Sequence, residues 1–328
     1  MILSPDKKQK FLICVFIIIT FLIAVTAYMA FIANAGTGTL SSPTTGSTGK
    51  LQVSTSSRPI TLLVVPVAGD YAEVTQILPP GAEPHEYEPT PKDAIRLQNA
   101  KILFYDGPFM EPWVEKLAGS TNPEIVRAPF IDSIPAPALA ELKAQNPDFP
   151  DPKQDSHFWL SPQMAEYYVP YIAQKLSDAD PANASAYRKN AETFEARLAK
   201  LDADYKIGLS NCTTRTFLTS HAFLNYQAAA YNLSALSITG LSPDAEPSVQ
   251  QMAAILDKAK AKNVQGVIAE TNEVEALSQS VASELSLPLY PYTTMEVLPA
   301  GELTAGDNDY VTIMGNNLQQ MRQALKCQ

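Results

Sequence analysis

Apolar and polar residues alternate in blocks along this chain, and the block lengths differ. The first block, residues 11–33, holds no charged side chain over 23 positions and follows Lys7, Lys8 and Lys10. At about 1.5 Å of rise per residue, a helix of that length spans a bilayer. Ala33-Asn34-Ala35 at its end also offers the small residues of a signal-peptide cleavage site. Residues 11–33 therefore read either as a membrane anchor or as a signal removed near Ala35. Both readings put the remainder outside the cytoplasm, because the lysines hold the N-terminus inside. Residues 36–58 are rich in Gly, Ser and Thr and read as a flexible tether with little to bury.

Beyond residue 59 short apolar runs alternate with helical patterns. Runs at 60–65, 73–78, 102–105 and 125–127 predict the strands of a first lobe, residues 59–179. Runs at 216–219, 236–239, 264–269 and 287–293 predict those of a second lobe, residues 211–328. Continuous apolar runs separated by helices indicate strands covered on both faces, so each lobe is expected to be α/β, a parallel sheet flanked by helices. Thr90-Pro91-Lys92-Asp93 and Ser248 carry helix-start chemistry. A helical pattern from Asp180-Pro181 to about Leu209 predicts one long rigid helix, residues 180–210, joining the lobes. Residues 133–154, with Pro135, Pro137, Pro147, Pro150 and Pro152, read as a surface loop.

Composition changes this picture little. A hydrophobic fraction of 46% supports real cores, and a net charge of −10 argues against nucleic acid as a partner. The same charge suits either plain solubility or the steering of cations. Of three cysteines, Cys14 lies in the N-terminal apolar block. Cys212 and Cys327 are left for an oxidising compartment, as a disulfide or as two thiols. No C-x-x-C occurs, so a cysteine zinc site is excluded.

The candidate chemistry rests on the three histidines. His85 sits in Leu78-Pro79-Pro80-Gly81-Ala82-Glu83-Pro84-His85-Glu86-Tyr87-Glu88-Pro89-Thr90-Pro91, too rich in proline for a helix or strand interior and fit for a stiff loop. That loop follows a predicted strand, and in open α/β sheets ligands bind at the C-terminal ends of strands. His157 stands in Asp155-Ser156-His157-Phe158-Trp159-Leu160, and His221 ends the predicted strand at 216–219. Alone, each is more readily a surface or core histidine than a ligand. Together they offer three neutral imidazoles, a shell that favours zinc over the oxygen-preferring manganese, magnesium and calcium.

These same stretches carry a resemblance. With Ser161-Pro162, Ser220-His221-Ala222-Phe223, Gly240-Leu241-Ser242-Pro243-Asp244-Ala245-Glu246-Pro247-Ser248 and Ile268-Ala269-Glu270, the chain from about residue 59 onward resembles the zinc/manganese-type (cluster A-I) substrate-binding proteins of ABC transporters. The resemblance implies two α/β lobes joined by a long helix, with a metal between them. It implies His85 and His157 as ligands from the first lobe and His221 from the second, the histidine marking a zinc-type rather than a manganese-type member.

Three departures from the family pattern stand out. An Asp often follows the last strand in the family; here Thr293 stands there, leaving Glu296, Glu270 or a water as fourth ligand. Only residues 67–72 separate the first two predicted strands, too few for a parallel crossover, so the lobe's edge is expected to be altered. No histidine-rich loop is present.

The function expected is a monomeric, non-enzymatic, extracytoplasmic receptor that captures Zn(II) and hands it to an ABC permease and its ATPase. A Mn(II)- or Fe(II)-binding receptor of the same type is one alternative. A three-histidine zinc hydrolase or hydratase with an open coordination position is another. A surface adhesin using the metal structurally is a third.

Overall fold

The computed structural model describes residues 49–328 apart from 86, 146–148, 150, 152, 242–246, 272–275 and 298–308. The apolar block at 11–33, its cleavage site and the tether up to residue 48 lie outside the described residues, as does most of the 240–247 motif. Among the described residues no helix is long and apolar enough to cross a membrane.

The first lobe is a four-stranded, all-parallel sheet of β1 (Leu51–Thr55), β2 (Ala72–Gln76), β3 (Ile102–Tyr105) and β4 (Val126–Pro129), in the order β2-β1-β3-β4. The second repeats that pattern with β5 (Thr216–Thr219), β6 (Ser234–Ser237), β7 (Val267–Glu270) and β8 (Leu289–Tyr292), in the order β6-β5-β7-β8. In each sheet the strand order reverses beside its first strand, which opens a crevice at the C-terminal ends of the strands.

The start of the first lobe corrects the sequence reading. Residues 60–65 are not a strand but part of helix α1 (Arg58–Ala68). Ile60, Leu63, Val64 and Val67 are fully buried while Val65 is half exposed, a helical spacing on one face. A run this short and mostly apolar fits a buried helix as well as a buried strand, and here packing against the long linking helix decided it. The first strand is β1, inside the stretch read as tether, where Val53, Ser54 and Thr55 are buried between β2 and β3. Residues 51–58, read as the end of the tether, are therefore part of the folded lobe. With α1 between β1 and β2, the crossover is of ordinary length and the lobe's edge is unaltered.

Helices α2 (Pro91–Leu97) and α3 (Trp113–Thr121) flank β3 in sequence. The stretch 133–154, read as a loop, contains helix α4 (Ala136–Gln145). Its Ala-Leu-Ala-Glu-Leu-Lys-Ala run has high helix propensity, and Pro137 falls in the first turn, where it costs no hydrogen bond. Next come α5 (Ala165–Ala179) and α6 (Ala184–Gly208), the linking helix of 25 residues, about 38 Å long. Tyr187, Ala191, Phe194, Leu198, Leu201 and Tyr205 form its buried stripe. Asn190 donates to Val67 O (3.1 Å) in the first lobe, and Tyr205 donates to Met314 O (2.8 Å) in the second, so α6 is fastened to both.

The second lobe's helices are α7 (Asn225–Ala230), α8 (Val249–Ala261), α9 (Ala276–Leu285) and α10 (Tyr310–Ala324). Ser248 caps α8 with Gln251 in a reciprocal capping box, as its sequence predicts. Of the two cysteine readings the disulfide is the one formed. Cys212–Cys327 joins the start of the second lobe to the C-terminus, beside a bond from Gln328 N–H to Asn211 O (3.0 Å).

Candidate metal centre

His85 is presented by a loop tied down at both ends. On the strand side, Ile77 and Leu78 extend the β1–β2 ladder by donating to Thr55 O and Ser56 O. Gly81 turns the chain at φ +81°, a conformation that favours glycine. On the helix side Asp93 Oδ2 accepts from Tyr87 OH (2.6 Å), Thr90 N (2.7 Å) and Thr90 Oγ1 (2.7 Å). Arg96 reaches back across the loop to Asp93 Oδ1 (2.8 Å) and Ile77 O (2.7 Å). Burial pushes Asp93 up, but these donors and the Arg96 charge outweigh it and hold the carboxyl below its usual range.

His157 opens a 3₁₀ turn and is buried. Asp155 Oδ1 accepts from both its backbone N–H and its Nδ1, each at 3.0 Å. A carboxylate acceptor requires the proton on Nδ1, which leaves the Nε2 lone pair free; that atom is buried with no hydrogen-bond partner. His221 follows β5 by two residues, where the strand's end aims it into the crevice, and neither of its ring nitrogens has a partner.

The fold thus brings the three predicted histidines together. Ring centroids lie 5.4 Å (85–157), 6.1 Å (85–221) and 5.3 Å (157–221) apart, and one nitrogen from each falls within 4.8 Å of the others. Burial, then the neighbouring His157, pushes His85 down to about 3. Burial, then His157 and His85, pushes His221 well below the ordinary value. At neutral pH both are uncharged and able to donate a lone pair.

The two candidate carboxylates part company here. Glu296 is buried on the loop after β8, with Oε1 3.6 Å from His85 Nε2 and that one oxygen without a hydrogen-bond partner. Met295 before it adopts φ +71°, which turns the Glu296 side chain inward, and Asn317 grips Thr293 through both its N–H and its carbonyl. Burial, then the Glu270 and Glu83 charges, push Glu296 well above the carboxylate range. Glu270, the last residue of β7, instead accepts from the Thr294 hydroxyl. Glu83 joins His85 and Glu296 as a second group with mutually close ligand atoms.

Asp155 and Glu83 lie outside the set predicted to act. The Asp-x-His spacing, in which a carboxylate can cap the backbone two residues on, was the available signal for Asp155. Glu83 had none beyond its place two residues before His85.

Behind the site the lobes are bound by hydrogen bonds, three of them buried, converging on residues 155–160. Asp155 Oδ2 accepts from Asn225 (2.9 Å), Trp159 Nε1 donates to Thr294 O (3.0 Å), and Gln227 donates to Leu160 O (2.9 Å). Tyr310 OH donates to Trp159 O (2.5 Å).

Two α/β lobes on a long helical spine, with a buried lone-pair cluster in the crevice between them, are an arrangement suited to holding a small cation. Comparison with known proteins agrees. Residues 53–324 match the family described as ZnuA, zinc-uptake complex component A, periplasmic, and the chain belongs to that family. It is 32% identical over 280 residues to the zinc-binding lipoprotein AdcA of Streptococcus pneumoniae, covering 84% of this chain and 56% of that protein. It is 30% identical to the high-affinity zinc uptake system protein ZnuA of Bacillus subtilis, covering 93% of this chain and 97% of that one. The crystal structure of the Zn(II)-bound ZnuA-like domain of S. pneumoniae AdcA superposes with a TM-score of 0.70 at 31% identity, over 84% of this chain and 99% of that domain. The chain spans about half the length (56%) of the AdcA proteins it matches. Membership bears out the resemblance read from the motifs. That family is described as the periplasmic component of zinc uptake, and its curated members are named for binding and uptake of zinc and not for an enzyme activity.

Proposed function

We propose that this protein captures Zn²⁺ through His85, His157, His221 and Glu296 and delivers it to the permease and ATPase of an ABC transporter. The observation that carries this reading is the convergence of three imidazoles from both lobes, with unpartnered nitrogens inside a buried site. Buried polar atoms without partners are costly unless a ligand satisfies them. Three nitrogens and one carboxylate oxygen supply the four-coordinate shell that zinc takes, and they favour it over the oxygen-preferring Mn²⁺. Glu296 rather than Glu270 completes the set, because it faces His85 while Glu270 is engaged by Thr294.

Four protein ligands leave no open position for a reactive water, so the site is suited to holding an ion and not to hydrolysis or hydration. The crossing hydrogen bonds and the α6 spine oppose wide opening, so release proceeds through the loops that carry His85 and Glu296. The domain works as a monomer outside the membrane, held by residues 11–33 or freed by cleavage near Ala35. Homologues named zinc-binding proteins, one of them a Zn(II)-bound structure, support zinc as the cargo.

Competition titration of the metal-free protein with Zn²⁺ and Mn²⁺ tests this, with His221→Ala alongside. Tight zinc binding, weak manganese binding, and a loss of more than roughly 100-fold in zinc affinity in the variant are expected, more than an outer-shell change costs. Manganese binding as tight as zinc, or an unaffected variant, overturns the assignment. A soluble fragment for this work has to begin before Leu51, because a start at residue 59 deletes β1.

A further inference from the structure

His85 belongs to two overlapping groups of ligand atoms, one deep and one shallow. The deep group is His85, His157 and His221; the shallow one is Glu83, His85 and Glu296, again with all ligand atoms within 4.8 Å of one another. His157 and His221 are each 1% exposed, whereas the His85 side chain is 14% exposed and Glu83 is half-buried. Glu83 and His85 stand two residues apart in an irregular loop, with the buried Pro84 between them. A second, independent feature points to a cation here: Glu296 Oε1 is buried, has no hydrogen-bond partner, and is directed at His85 Nε2 from 3.6 Å. Glu83 Oε1 already accepts the His85 backbone N–H at 2.9 Å, which holds its carboxylate at the mouth of the deep group.

We propose that Glu83, His85 and Glu296 form an outer staging site for a divalent cation on its way into and out of the three-histidine site. The inference rests on the metal-binding reading above and extends it to the route. Two carboxylates balance the charge of a divalent ion, and their oxygens replace part of its hydration shell before it is buried. Moving inward, the ion keeps His85 and Glu296 and exchanges Glu83 for His157 and His221. No step then leaves it without water or protein ligands.

A staging ligand touches the ion in transit and not in the final complex, so it alters both rates and leaves the equilibrium alone. The test is stopped-flow association and chelator-driven dissociation of Zn²⁺ with the whole protein and with Glu83→Gln, which keeps an oxygen acceptor for the His85 N–H. Both rates are expected to fall by the same factor, on the order of tenfold, with Kd unchanged within about twofold. The effect is expected to persist at about 1 M salt, where the Debye length is about 3 Å and long-range steering is lost.

Unchanged rates overturn the proposal. So does a weaker Kd with faster dissociation, which would make Glu83 a ligand of the final complex. An effect confined to low salt overturns it in favour of steering alone. If the unaltered protein binds no zinc, the failure lies with the proposed function itself; if it binds zinc and Glu83→Gln leaves the rates unchanged, only the staging site fails.

Discussion

At the scale of single residues, the site is a set of lone pairs aimed inward. Asp155 shows how this is done for His157, fixing its tautomer through Nδ1 while Asn225 holds the other carboxylate oxygen. Outer-shell carboxylates of this kind tune metal affinity, so Asp155→Asn is expected to weaken zinc binding by roughly 10–100-fold with the fold intact. Isothermal titration together with circular dichroism checks both halves of that statement. Burial of the histidines also carries a pH signature. His85 and His221 have folded pKa values depressed below the unfolded value of about 6.5. Their contribution to stability is therefore full above pH 6.5 and declines as pH falls below it toward the folded values. Between pH 6.5 and 5 His85 accounts for about 2 kcal/mol of lost stability in the metal-free protein, and His221 acts in the same direction. Urea unfolding across that range is expected to show a shallower pH slope in His221→Ala than in the unaltered chain. Parallel slopes would mean that His221 is not held neutral.

At the scale of elements, local chemistry was legible and burial was not. The Thr90 and Ser248 caps form where their side chains predicted, and Thr216–Thr219 is a strand over the residues expected. The run at 60–65 misled because so short a stretch, five apolar residues and Thr61, has no visible period, and the packing that made it a helix came from α6. The α1–α6 junction is tight at Gly69, which has φ +55° and where an added Cβ would stand 2.6 Å from Asn190 Nδ2. Gly69→Ala is expected to destabilise the protein by about 1–3 kcal/mol through backbone strain and a displaced Asn190. Zinc affinity should not change, since the junction lies outside the metal centre. Chemical denaturation and a zinc titration of the same variant separate the two outcomes.

At the scale of the molecule, two lobes of the same topology are locked along one side by α6 and behind the site by hydrogen bonds to residues 155–160. The Cys212–Cys327 disulfide closes a loop with a sequence separation of 115 residues around the second lobe. Reduction is expected to cost about 2–4 kcal/mol of stability, an effect of chain restriction in the unfolded state. It should leave zinc binding in place, because the bridge pins chain ends and none of the proposed ligands. Thermal unfolding and zinc titration with and without reductant measure this, and loss of binding on reduction would show that the bridge positions the second lobe's ligands.

Spacing and side-chain chemistry were enough to establish the alternation of strands and helices, the long linking helix, and three histidines as the only imidazoles available. Those features rest on interactions within a few residues of one another, and a sequence displays them directly. The start of the first lobe, the inward turn of Glu296 over Glu270, the Asp155 anchor and the Glu83–His85–Glu296 group depend on which surfaces meet across the fold. Burial is a property of contacts between distant segments, so a buried carboxylate and a solvated one read alike along the chain until the lobes are packed together.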